Sequence, residues 1–131
     1  MSAYYLDTSA AVRLVVDESG SRVLRSWIDR EDPDFVSSDL LRVELLRVCR
    51  RHSPDAVAAA RVCLDAVSLM PLTTELCQRG SEIDPSVMRS LDALHVASAL
   101  VLGDELRGVL TYDERLADGC RAYGLPVLSP A

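Results

Sequence analysis

Lysine and asparagine are both missing from the 131 residues, and all 14 basic side chains are arginine. The missing amine excludes a phosphate-binding Walker loop, which needs its lysine, and Schiff-base catalysis. It also counts against receiver-type α/β domains, which rely on a lysine late in the chain. A GC-rich coding sequence, which trades Lys for Arg and depletes Asn, explains the bias, and the exclusions hold whatever its cause. Aromatic residues are scarce at 5%. The same few rings must serve the core, so a base-stacking platform for single strands is not expected. The four cysteines, Cys49, Cys63, Cys77 and Cys120, are too far apart for a metal knuckle or a redox C-x-x-C. At helical, apolar positions they read as small core residues. The longest uncharged run, residues 93–103, is too short to span a bilayer. No basic stretch followed by an apolar one precedes Asp7, so no signal peptide is read. These absences predict a cytoplasmic protein with reduced thiols and no membrane association.

What is present fits one domain over residues 1–131. A hydrophobic content of 49% is enough for a core without staples. Acids outnumber bases by 20 to 14, a formal net charge of -6. Such acidity disfavours a purely electrostatic grip on nucleic acid or membrane. It suits a metal site or a basic partner.

Short apolar runs alternate with helical patterns. Strands are expected at residues 3–6, 35–37, 70–72, 108–111 and 126–128. Helices are expected from about Ala10, from Ser21 to about Arg30, and from Ser38 or Asp39 to about His52. Others run from Ala56 to about Val67, from Thr73 to Gly80, from Ser86 to Leu102 and from Asp113 to Tyr123. This alternation implies an α/β protein with a central parallel sheet covered on both faces. The functional crevice of such sheets lies beyond the carboxyl ends of the strands.

Four acids stand out. Asp7 and Asp113 each follow a strand; either alone reads equally as a helix N-cap, but together they mark one edge. Asp92 falls in a helix whose apolar residues cover nearly its whole circumference, so the helix is expected to be buried. A carboxylate there needs compensation. Arg89, three residues earlier, offers an ion pair, and a divalent cation is the alternative. Glu44 lies at the edge of the stripe formed by Leu41, Leu45, Val48 and Cys49. Arg42, Arg47, Arg50 and Arg51 surround it. They read either as a solvated face paired with Glu44 or as a rim that contacts phosphates.

At these residues the chain resembles the PIN-domain ribonucleases, specifically the VapC toxins of type II toxin–antitoxin pairs. The resemblance is carried by Tyr5-Leu6-Asp7-Thr8-Ser9-Ala10, by residues 38–45 around Glu44, by residues 89–99 around Asp92, and by residues 111–117 around Asp113. It covers nearly the full length, in one order and on matching elements. It implies a three-layer α/β/α sandwich with a central parallel sheet. It also implies a catalytic and metal-binding quartet of Asp7, Glu44, Asp92 and Asp113, with Ser9 and Thr111 as supporting hydroxyls. Asp7 and Asp92 match the positions most directly tied to the metal.

The implied activity is cleavage of RNA phosphodiester bonds by metal-activated water. Oxygen-only ligands select Mg²⁺ or Mn²⁺, and Arg42, Arg47, Arg50 and Arg51 become candidate RNA contacts. Crowded carboxylates predict a raised pKa for at least one acid without metal. His95, one turn from Asp92, reads as a buried structural histidine, with a general-base role as the alternative. The implied partners are an RNA substrate, a VapB-type antitoxin and a second copy in a homodimer. A strip of Val12, Leu14, Val15, Trp27 and Ile28 reads either as the antitoxin's docking groove or as core. Two rivals remain. A haloacid-dehalogenase-type phosphohydrolase wants a second acid two residues after the first, where Ser9 stands. A non-catalytic PIN-like binding module would not need the intact quartet.

Overall fold

The computed structural model describes residues 2–131. Five strands, β1 (Ala3–Leu6), β2 (Phe35–Ser38), β3 (Ser68–Met70), β4 (Leu106–Leu110) and β5 (Val127–Leu128), form one sheet in the order β3-β2-β1-β4-β5. All four pairings are parallel. β1 is central and buried along its whole length, as its unbroken apolar run requires. Its side chains alternate: Tyr4 and Leu6 enter the core on one face, and Tyr5 enters the core on the other.

The first face is covered by α1 (Thr8–Val15), α2 (Ser21–Glu31), α3 (Asp39–Arg50) and α4 (Pro54–Asp65). The second is covered by α6 (Ser90–Val101) and α7 (Glu114–Ala122), with α5 (Thr74–Ser81) packed against α6. Gly80 permits that packing, because a Cβ there would lie 3.0 Å from the Leu94 side chain. This is the expected three-layer α/β/α sandwich.

Helix starts follow the local chemistry. Ser38, Ser53 and Thr73 each accept a backbone N–H of the first turn they precede. Asp7 caps α1, so that helix begins at Thr8, two residues before the sequence expectation. β3 likewise lies at 68–70 and not at 70–72, and β4 begins two residues earlier than expected, at Leu106.

The largest departure concerns α6. The sequence pattern starts this helix at Ser86 and buries it all round, whereas it starts at Ser90. Residues 85–88 form a turn closed by the Met88 N–H to Pro85 carbonyl bond at 2.9 Å, and Arg89 has extended backbone angles. Val87 is 88% exposed and Leu91 49% exposed. Apolar composition extended the apparent helix without any packing surface to receive these side chains. The buried arc is Ala93 and His95–Ala99. Cys77, expected in the core, is exposed on α5.

Candidate active site

The carboxyl ends of β1, β2 and β4 bring Asp7, Ser38 and Thr111 side by side. The Asp7 N–H continues the ladder to the Leu110 carbonyl at 3.1 Å. One pocket at this edge is lined by Asp7, Glu44, Asp92 and Asp113, joined by His95 and Arg13 among others. All four sequence-selected acids therefore face a common space, although they come from positions spread across the chain.

Asp7 is 5% exposed and uses its two oxygens differently. Oδ2 accepts the Ser9 hydroxyl at 2.7 Å, the Thr111 hydroxyl at 2.8 Å and the Ser9 N–H at 3.3 Å. Oδ1 makes none of these bonds and lies 3.7 Å from His95 Nε2. Ser9 Oγ also accepts the Tyr112 N–H at 2.8 Å, and Thr111 Oγ1 accepts the Asp113 N–H at 3.1 Å. The two hydroxyls thus tie the end of β1 to the segment after β4. Asp113 repeats the division of labour: its Oδ1 caps α7 by accepting the Arg115 and Leu116 N–H groups. Its other oxygen accepts no hydrogen bond among the described residues. Each aspartate thus caps its helix through one oxygen and also lines the pocket.

Asp92 is different. Its Oδ2 is buried with no hydrogen-bond partner, and no ion pair joins it to Arg89 among the described residues. Burial raises its pKa above the usual carboxylate range. Asp113 and Asp7 add to the rise, while His95 and Arg115 oppose it. An orphaned buried carboxylate oxygen facing other carboxylates is a costly arrangement without a cation.

Glu44 makes no ion pair with the neighbouring arginines. Its Oε1 accepts the Thr8 hydroxyl at 2.7 Å and bonds His95 Nε2 at 2.7 Å. Burial works to raise its pKa, but the His95 bond and charge and the Thr8 bond outweigh it, so the net shift is downward. His95 is 3% exposed, and its Nδ1 lies 2.8 Å from the Tyr5 hydroxyl. That hydroxyl reaches Ser38 Oγ at 3.3 Å. Burial pulls the His95 pKa down, but Tyr5, Glu44 and Asp7 together lift it to about 10. The shift favours the protonated imidazole, which stands between the Glu44 and Asp7 carboxylates. Asp7, Glu44 and His95 form the tightest candidate ligand group, with donor atoms within 4.8 Å of one another. Asp92 and Asp113 line the same pocket outside that group.

The arginines divide. Arg42 is paired with Asp39 at 3.6 Å, whereas Arg47, Arg50 and Arg51 alone line a separate shallow pocket at the end of α3. Of the docking strip, Trp27 is buried edge-on against Tyr4, and Val12, Leu14, Val15 and Ile28 are half-buried against the same core. That strip is mostly core. Sequence reasoning passed over Thr8, Tyr5 and Arg13. Thr8 stood in plain view beside Asp7. Tyr5 had only the strand period to place it on the opposite face from Tyr4 and Leu6.

The chain matches the PIN domain family over residues 4–121. It is 39% identical to ribonuclease VapC47 of Mycobacterium tuberculosis over 96% of both chains. Among solved structures it superposes on M. tuberculosis VapC20, a sarcin–ricin loop cleaving toxin, with a TM-score of 0.76. That match has 19% identity and covers 98% of this chain and 100% of the other. A toxin–antitoxin complex from Klebsiella pneumoniae aligns with a TM-score of 0.70 at 16% identity over 98% of each chain.

Proposed function

The chain belongs to the PIN-domain family, and on that premise we propose that it is the ribonuclease toxin of a type II toxin–antitoxin pair. It hydrolyses RNA phosphodiester bonds at the carboxyl edge of its sheet. The observation that carries the reading is the unpartnered, buried Asp92 Oδ2 in a pocket shared with four further acids, Asp7, Glu18, Glu44 and Asp113.

The donors are carboxylate oxygens, which suits a hard divalent ion, Mg²⁺ or Mn²⁺. Asp7 and Asp92 are assigned as its direct ligands, with Asp113 completing the set or acting through water. Bound there, such an ion supplies positive charge for the phosphoryl oxygens and lowers the pKa of water. The protein's own groups do the rest. Ser9 and Thr111 lock Asp7 Oδ2, which presents Oδ1 to the pocket without rotational loss. Glu44, fixed through Oε1, keeps Oε2 free to accept a hydrogen bond from the attacking water. Its lowered pKa suits orienting that water better than retaining its proton. His95 holds Glu44 in place and takes the structural role, not that of a base, since its raised pKa leaves it protonated.

Arg47, Arg50 and Arg51 are assigned to the RNA backbone, and Arg42, already paired, to a lesser share of it. The toxin–antitoxin neighbour supports an antitoxin partner of VapB type, one that inserts a cationic side chain among the carboxylates. Homodimerisation and a cytoplasmic location complete the reading. Among the described residues no helix is long and apolar enough to cross a membrane.

The test is cleavage of structured RNAs by purified protein, with a sarcin–ricin loop hairpin and total bacterial RNA as first substrates. Mg²⁺-dependent cleavage that EDTA abolishes and Asp92→Asn lacks is expected. Hydrolysis of p-nitrophenyl phosphate without RNA cleavage would favour a phosphohydrolase, and no turnover of either would favour a binding module.

A further inference from the structure

Arg13 is the one arginine that lines the acid pocket. Its guanidinium is held from several sides. Nη1 donates to the Ser9 carbonyl at 2.8 Å, and Nε donates to the Ser19 carbonyl at 3.1 Å. The guanidinium carbon stands 4.1 Å from the centre of the Tyr112 ring. Gly20, with φ of 89°, closes against it; a Cβ there would lie 3.3 Å from Nε. The nearest carboxylate, Glu18, is 3.9 Å from Nη1. The close partners are thus two neutral carbonyls and an aromatic face, which orient the charge, while the longer Glu18 contact offsets it only in part. Among the described residues Nη2 makes no hydrogen bond to the protein.

Ser9, whose carbonyl anchors Arg13, is also the residue whose hydroxyl fixes Asp7. The guanidinium is therefore positioned by the same turn that positions the acids. A phosphodiester that enters a pocket of five carboxylates meets repulsion at its rim, and a fixed cation, only partly offset by Glu18, relieves it through its free N–H groups. Planar N–H pairs match phosphate oxygens in the manner that makes Arg a preferred phosphate ligand.

We propose that Arg13 is a substrate-binding residue that grips an RNA phosphate beside the acidic centre. This rests on the RNA-cleaving function argued above. The α3 arginines lie in a separate pocket, so Arg13 defines a second backbone contact on the α1 side of the site.

The experiment measures kcat, KM and the salt dependence of kcat/KM for wild type, Arg13→Gln, Arg13→Lys and Glu18→Gln. The probe is the RNA that wild type cuts in a total-RNA screen with Mg²⁺. Thermal melting is recorded for each protein. Arg13→Gln is expected to lower kcat/KM about 10- to 100-fold, the worth of a charge-assisted hydrogen bond. The plot of log kcat/KM against log salt should become shallower by about 0.7, the loss of one single-strand phosphate contact. Arg13→Lys should keep the slope and recover part of the rate. Glu18→Gln, on an exposed side chain whose loss leaves the fold intact, should lower KM by freeing the guanidinium. That variant keeps the test open if Arg13→Gln does not fold. An unchanged salt slope in folded Arg13→Gln, or a raised KM in Glu18→Gln, overturns the proposal while leaving RNA cleavage standing. Wild type that cuts no RNA at all overturns the premise, and the proposal with it.

Discussion

The 2.7 Å bond between His95 and Glu44 joins the two helical layers across the carboxyl edge of the sheet. Glu44 comes from α3 on one face and His95 from α6 on the other. Behind His95 stands Tyr5 of the central strand, so the link continues into the sheet itself. The pocket is built on a braced frame, and the brace is polar and buried. Such frames cost stability heavily when one member is removed.

His95→Ala should therefore destabilise the metal-free protein by about 3 kcal/mol, since it strips Glu44 of its buried ion partner and leaves Glu44 with Thr8 and the Tyr5 hydroxyl with Ser38 alone. His95→Gln should cost less. The pH dependence has a definite sign. The folded-state pKa is raised from 6.5 to about 10, so the stability it contributes is full below pH 6.5 and is lost as pH rises through 10. Urea unfolding in EDTA should show wild type losing stability relative to His95→Gln over this window. Parallel curves for the two proteins would refute a charged His95.

Asp92→Asn should melt higher than wild type in EDTA, by about 3 °C. The Asp92 pKa is raised on folding, so above the ordinary carboxylate range its ionisation opposes the fold. The same variant should lose cleavage. Thus one substitution separates stability from activity, and a lower melting temperature for Asp92→Asn would contradict the strained-carboxylate reading.

Saturating Mg²⁺ at about 100 times its Kd should stabilise wild type by about 2.7 kcal/mol and leave Asp92→Asn little changed. Because Asp92 holds its proton to higher pH than an ordinary acid, the affinity should weaken as pH falls toward 5. Calorimetric titration at two pH values reads this directly. A pH-independent affinity would place the ion elsewhere.

Thr111→Val removes one of three donors from Asp7 Oδ2 and the support of the Asp113 N–H. The cost should be about 1 to 1.5 kcal/mol in stability. Activity should fall about tenfold through kcat, with KM nearly unchanged, because Asp7 loses orientation and no substrate contact is lost. A KM effect alone would mean that Thr111 touches RNA.

The sheet was legible because its strands are short apolar runs set between helical patterns, and β1 and β4 are closely followed by an aspartate. Asp7 and Asp113 announce the site by that position alone. The α6 boundary was not legible: Val87 and Met88 continue the apolar pattern, yet Val87 is exposed, Met88 packs on the core from a turn, and the helix starts only at Ser90. The ties of Glu44 were hidden too. Its sequence neighbours suggested arginine pairing, whereas its partners are Thr8 and His95, which only the folded topology brings near. Arg13 carried no local signal, since the aromatic ring that holds it belongs to the segment after β4.

The bond from Thr111 to Asp7 spans 104 residues, and the last acid, Asp113, comes late in a chain of 131. A ribosome making this protein must therefore pass residue 113 before the pocket can close. Partial products carry Asp7 and Glu44 but have no means of holding them in register with Asp92 and Asp113. Until then the nascent chain holds only part of the acidic pocket.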